Sequence, residues 1–156
     1  MQRRSFIKGI AAAAAVSTVL PTMVSAADAK KAKGPNELNV KDAIKAITGG
    51  KTVKESAKVT LKAPEIAENG AVVPIKVFVE SPMTDADHVK SIHVLASKNG
   101  NVRCADVYLT PANGAAVFGT RVKLGGTQDI IAIVELSNGT FISAKQNVKV
   151  TIGGCG

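Results

Sequence analysis

From Asn39 onward the apolar residues Val40, Ile44 and Ile47 recur at helical spacing. Asp42 stands three positions after Asn39 as a capping partner, and Gly49-Gly50 closes the run. This spacing predicts one short amphipathic helix. Beyond it the period changes to two. Val59 and Leu61 alternate with lysines, Val73, Ile75, Val77 and Val79 alternate next, and Ile92, Val94 and Ala96 follow. Further strands are predicted over 102–109, 116–124, 129–136 and 140–152. Between them lie turn-formers: Glu68-Asn69-Gly70, Ser81-Pro82-Met83-Thr84-Asp85, Asn99-Gly100-Asn101, Pro111-Ala112-Asn113-Gly114, Gly125-Gly126 and Ser137-Asn138-Gly139. Pro74 has no N–H to give to a ladder, so an edge strand or a bulge is expected around it. About seven short strands at this spacing predict an all-β, immunoglobulin-like antiparallel β-sandwich over residues 38–152. A small barrel is the alternative that the pattern leaves open.

Composition narrows what such a domain can do. The 156 residues allow one compact domain, and with 46% hydrophobic but only 3% aromatic residues the core must be Val, Ile, Leu and Ala. No aromatic stacking platform for single-stranded nucleic acid is available, and the lysines are scattered without a dense basic run. Two cysteines are too few for a disulfide-dense scaffold or a Cys-rich zinc site.

Residues 1–26 read as a targeting segment. A basic start (Arg3, Arg4, Lys8) precedes a weakly apolar, Ala-rich run too short for a convincing membrane span, and Val24-Ser25-Ala26 offers small residues for cleavage. Arg3-Arg4-Ser5-Phe6-Ile7-Lys8 has the form of a twin-arginine signal, which exports proteins already folded; an ordinary export signal carrying two arginines is the alternative. Either route predicts a periplasmic protein. Folded export also suggests a signal-less partner subunit carried out with this chain. Residues 27–37, Lys/Ala-rich and punctuated by Gly34-Pro35, read as a disordered leader.

Several candidate chemical signals fail. Gly49-Gly50-Lys51-Thr52 has the ending of a phosphate-binding loop, but Lys45 stands where the first glycine belongs and the stretch follows a helix instead of preceding one. His88 and His93, five apart, point to opposite faces of a strand and make a poor shared metal site; two surface or partly packed imidazoles are expected. Asp85 and Asp87 lack further oxygen ligands for a cation. No Ser/His/Asp arrangement has a local signature. Cys104, inside an alternating strand, reads as a small inert packed thiol.

Cys155 is different. In Gly153-Gly154-Cys155-Gly156 the thiol has no neighbouring side chain on either side, and the glycines predict a thin, flexible tether. Four extended residues reach about 13 Å at roughly 3.3 Å each, enough to carry the sulfur clear of the domain. A catalytic cysteine needs a rigid place beside a base, so this arrangement favours a carrier over an enzyme. The nearby terminal carboxylate disfavours the thiolate, and activation would come from the pocket that the tail enters. A disulfide to Cys104 or to a second chain is the structural alternative, and an adhesive or structural sandwich domain linked through Cys155 is the competing function.

Five stretches, taken in order, resemble the SoxY family of sulfur-carrier subunits. They are Lys58-Val59-Thr60-Leu61, Pro64-Glu65-Ile66-Ala67-Glu68-Asn69-Gly70, Glu80-Ser81-Pro82-Met83-Thr84-Asp85-Ala86-Asp87, Ser91-Ile92-His93-Val94, and Val150-Thr151-Ile152-Gly153-Gly154-Cys155-Gly156. The resemblance implies an immunoglobulin-type sandwich and a heterodimer with SoxZ, with no cofactor beyond sulfur intermediates bound covalently to Cys155. It further implies that the haem protein SoxXA joins thiosulfate oxidatively to that thiol and that SoxB hydrolyses the terminal sulfonate off as sulfate. SoxCD, in organisms that have it, then oxidises the sulfane sulfur left behind. The carrier catalyses none of these steps; Gly153, Gly154 and Gly156 keep its arm thin. Two departures stand out. The family motif usually ends in one more glycine, so the carboxylate here lies nearer the sulfur, and Cys104 occupies a position where an apolar residue is expected.

Overall fold

The computed structural model describes residues 37–154. The predicted signal segment, all of the leader but Glu37, and Cys155 and Gly156 lie outside the described residues.

The helix α1, Val40–Thr48, forms where the apolar spacing places it. The Asn39 side chain accepts the Asp42 amide at 2.9 Å, and Gly49 ends the helix in a left-handed conformation with φ 62°. These are the side-chain cap and the glycine stop that helix ends require. Nine strands follow among the described residues: β1 Val53–Glu55, β2 Val59–Lys62, β3 Ile66–Asn69, β4 Val73–Val79, β5 Val89–Ala96, β6 Arg103–Tyr108, β7 Ala116–Val122, β8 Gln128–Leu136 and β9 Phe141–Ile152. A short 3-10 turn, Pro111–Asn113, links β6 to β7.

The strands form two layers. One sheet runs β1-β9-β8-β5-β6, with β3 also on β9, and the other runs β2-β4-β7. Both orders are open, so the molecule is a sandwich and not a barrel. The layer between them is aliphatic: Val73, Ile75, Val77 and Val79 of β4 face Ile92, Val94 and Ala96 of β5 and Ile130, Ala132 and Val134 of β8. In β4 burial alternates strictly, with Pro74, Lys76 and Phe78 facing outward. Pro74 pairs with Arg121 of β7 but lies beyond the last β2 partner, Lys76, so this part of β4 has no β2 neighbour. That is the edge position a residue without an N–H tolerates.

In β5 the alternation disappears: Ser91 through Ala96 are all buried. The outer face of this strand is covered too. Leu95 joins Ala43, Val102, Ile133 and Phe141 in a second cluster that takes in Val40, Ile44 and Ile47 of α1. The amphipathic helix therefore caps the larger sheet from outside.

The structure corrects the strand pattern in two respects. The sandwich is not wholly antiparallel, because β1 and β3 both pair parallel with β9, at Val53↔Phe141 through Glu55↔Ser143 and at Ile66↔Lys149 through Asn69↔Ile152. Both are too short to show a period, and their partner lies far along the chain. Glu68 and Asn69, expected in a turn, belong to β3, and the turn falls after them. Replacing the fully buried Ile92 by Ala is expected to cost about 2–5 kcal/mol of unfolding free energy; a shift in the urea midpoint at unchanged slope would measure it.

Candidate functional site

β9 is the longest strand among the described residues and leads into Gly153 and Gly154. Its first eight residues pair with β8 through Gln128↔Val148, and its last residues run beside β3. At Ile152 the ladder stops, but the chain does not leave the body there. The Gly70 amide donates to the Ile152 carbonyl at 2.7 Å, the Leu124 amide donates to the Gly70 carbonyl at 2.7 Å, and the Gly154 amide donates to the Leu124 carbonyl at 2.9 Å. Three backbone bonds thus tie the β3–β4 turn, the β7–β8 loop and the root of the tail together.

The three glycines of this knot are there for space. A β-carbon on Gly70 would lie 2.2 Å from the Leu124 carbonyl oxygen, one on Gly153 2.5 Å from the Gly125 carbonyl oxygen, and one on Gly154 2.6 Å from the backbone of Ala71. None of the three has a positive φ, so close backbone approach is what excludes a side chain. The close packing of these two residues is a feature that the expectation of a flexible tether did not include. Gly153 and Gly154 are packed against two loops, Gly154 is half-buried, and Cys155 and Gly156 lie outside the described residues. The apolar side chains of Val72 and Ile152, both more than half exposed, flank this root.

The loop that supplies the Leu124 carbonyl is itself held. Asn99 donates to the Lys123 carbonyl at 2.7 Å and accepts from the Gly125 amide at 3.1 Å and from the Gln128 side chain at 2.7 Å. Gln128, 1% exposed, also donates to the Gly126 carbonyl and accepts the Lys98 amide at 2.8 Å. A buried amide with its donors and acceptors satisfied rigidifies what it touches. On the other side, Thr127 Oγ1 accepts the Val150 amide at 3.0 Å.

The other thiol behaves as expected of a packed one. Cys104 is free and half-buried, its Sγ 3.8 Å from the Val102 carbonyl. Burial pushes its pKa up to about 11, with a hydrogen bond to the Ala96 backbone opposing this only in part. It is a thiol, not a thiolate, at neutral pH.

A polar cluster that no local signature announced lies on the outer face of β5. Ser91 and His93, 1% and 4% exposed, meet Asp106 of β6, whose residue pairs opposite His93. His93 Nδ1 shares a hydrogen bond with Asp106 Oδ1 at 2.5 Å, and its Nε2 shares one with the Ser91 hydroxyl at 2.9 Å. Arg103 donates to the second Asp106 oxygen at 2.7 Å, and Tyr108 stands edge-on to the imidazole. His93 is therefore a buried hydrogen-bonded group and not a surface imidazole. His88 is half-buried and donates from Nδ1 to the Thr84 carbonyl at 3.1 Å. Although Ser, His and Asp stand in line, the serine oxygen is enclosed, so the arrangement ties the edge strand β6 to β5 and exposes no nucleophile. Ser91 and His93 share a face by their spacing of two, but Asp106 joins them only through the β5–β6 register, which shifts at Val94/Leu95. Asp85 and Asp87 are exposed in the turn before β5. Among the described residues no group of three or more His, Cys, Asp or Glu side chains is placed to hold a metal ion.

The described part of the chain is thus a two-layer sandwich whose last strand, β9, runs into a backbone knot at Gly153 and Gly154. Residues 44–155 match the family described as sulfur oxidation protein SoxY, and the chain belongs to that family. Among solved structures, the sulfur carrier protein SoxY from Chlorobium limicola f. thiosulfatophilum is 31% identical, with 73% of this chain and 97% of that one covered and a TM-score of 0.63. A superoxide reductase (neelaredoxin) from Ignicoccus hospitalis, 19% identical, with 60% of this chain and 80% of that one covered and a TM-score of 0.55, shares the fold alone. No curated protein matches the chain.

Two outcomes follow from these geometries. Burial, the largest single influence on Asp106, raises its pKa, but the hydrogen bonds and charges of Arg103 and His93 outweigh it and hold the carboxyl below its ordinary value near 3.8. The ionised form is the one the fold favours, so its contribution is complete above the ordinary value and is lost as pH falls through the lower folded value. Asp106→Asn is expected to cost about 1–2 kcal/mol near neutrality, with the gap to the parent closing below pH ~3.8, as denaturant melts across pH would show. Alkylation of the native protein at neutral pH by a small reagent is expected to spare Cys104, which becomes labelled only after denaturation; peptide mass mapping reads this directly.

Proposed function

We propose that this chain is a periplasmic sulfur carrier that holds thiosulfate-derived sulfur on Cys155 while partner proteins act on it. The observation that carries the reading is the SoxY family match running up to Cys155, three residues beyond the end of β9. The chemistry asks little of the domain. Joining the thiol to thiosulfate forms an S–S bond and releases one proton and two electrons, which a haem protein of the SoxXA kind takes up. Water then cleaves the terminal sulfonate as hydrogen sulfate, the step assigned to SoxB, and leaves a persulfide on Cys155. SoxCD, where present, oxidises that remaining sulfane sulfur. The domain catalyses none of these steps and needs no resident cofactor; it keeps the thiol accessible and the rest of its surface inert, and the unreactive Cys104 fits that division.

SoxZ is the partner subunit of this reading, and the twin-arginine form of residues 3–8 supports export of the two chains already folded together. Cys155→Ser is expected to abolish the thiosulfate adduct. Intact-mass analysis after incubation with thiosulfate and the SoxXA-type oxidant should show one added thiosulfate on the parent protein and none on the variant. An undiminished adduct on Cys155→Ser would overturn the assignment. A covalent homodimer as the dominant form on non-reducing gels would favour the disulfide-linked structural role instead.

A further inference from the structure

Among the described residues, one backbone hydrogen bond is made beyond the end of β9, from the Gly154 amide to the Leu124 carbonyl. It closes a seat whose other parts are locked. Gly70 is held from both sides, by Ile152 and by Leu124, and the Leu124–Gly126 loop is fixed through Asn99 and the buried Gln128. The seat admits the tail only because positions 153 and 154 carry no side chain.

We propose that the arm has two lengths. In the seated form the backbones of Gly70 and Leu124 hold the chain as far as Gly154, and any turning that presents the sulfur is left to the bonds beyond that residue. In the released form the Gly154 amide leaves the Leu124 carbonyl, and the arm gains two residues, about 7 Å of reach at roughly 3.3–3.6 Å each. Gly70 and Leu124 are then positioning residues for the carried sulfur, acting through the arm's root without touching the cargo. A shallow processing site can be served by the seated form, and a deep one selects the released form by engaging the freed segment. The inference rests on the carrier reading of Cys155 for its purpose, but the seat itself is independent of that chemistry.

The two roles for the glycines predict opposite effects of substitution. If Gly153 and Gly154 serve as a flexible tether, Gly154→Ala stiffens the arm; if they fit a seat, the added methyl unseats and lengthens it. The test is amide hydrogen exchange on the full chain by NMR, with bulky and small maleimides competing for Cys155. The parent protein should show a protected Gly154 amide and slower labelling by the bulky reagent. In Gly154→Ala, protection at 154 should fall by a factor of roughly 5 to 30, the equivalent of losing a bond of 1–2 kcal/mol, and the labelling bias should shrink. The Val94 and Ile133 amides report that the fold is intact, and Gly119→Ala, in β7 away from the seat, where an added β-carbon comes no nearer than 3.9 Å to another atom, should leave both readings unchanged. An unprotected Gly154 amide in the parent, retained protection in Gly154→Ala, or an unaltered labelling bias would overturn the proposal. Failure of Cys155 to take up thiosulfate would remove the carrier reading and leave the exchange result standing.

Discussion

The molecule is organised around both edges of one strand. β9 spans twelve residues, pairs with β8 along one side, and on the other receives β1 near its start and β3 near its end. Without β3 alongside, the last turn of the ladder would be a free edge, and the β3–β4 turn would not bring Gly70 to Ile152. Without Gly70 there, the Leu124 loop would lose its amide partner, and the tail would have nothing to lie against. The placement of Gly153 and Gly154 thus follows from a parallel pairing between segments some eighty residues apart, which only a closed tertiary structure can hold.

The remainder of the fold makes that strand a rigid base. One aliphatic layer joins the sheets, and α1 covers the far side of the larger sheet over Leu95, Ile133 and Phe141. The edge strand β6, which has no outer neighbour, is held to β5 by Asp106, which bonds the buried His93 and is itself steadied by Arg103, while Ser91 holds the far side of the imidazole. Polar groups that could have been reactive are used as fasteners. Sulfur inside the sandwich is quiet as well: Cys104 is kept protonated by burial.

Much of this could be read along the chain. The helix with its Asn39 cap and Gly49 stop was legible because capping and 3.6-residue spacing are local. β4 was legible because a strand with one buried and one solvated face alternates strictly. β5 was legible as a strand, though its near-continuous burial was not, since that depends on α1 and the His93 cluster arriving on its outer face. β1 and β3 were missed: three or four residues carry no period, and a parallel partner distant in sequence leaves no trace in the neighbourhood of either. The glycines near the C-terminus were recognised as a group, but the close backbone packing at Gly153 and Gly154 was not, because a residue that must be small for want of space looks the same in sequence as one that must be small for freedom.

The sequence by itself therefore determined the all-β class, the helix, the aliphatic core and the glycine neighbours of Cys155, since each depends on periodicity, composition or nearest neighbours. Only the tertiary structure decided that β9 would be flanked by two parallel strands, that Ser91, His93 and Asp106 would meet, and that Gly153 and Gly154 would lie in a seat formed by Gly70, Ala71, Leu124 and Gly125. These are backbone approaches between distant segments, measured in tenths of an ångström. They exist only once the intervening chain has packed.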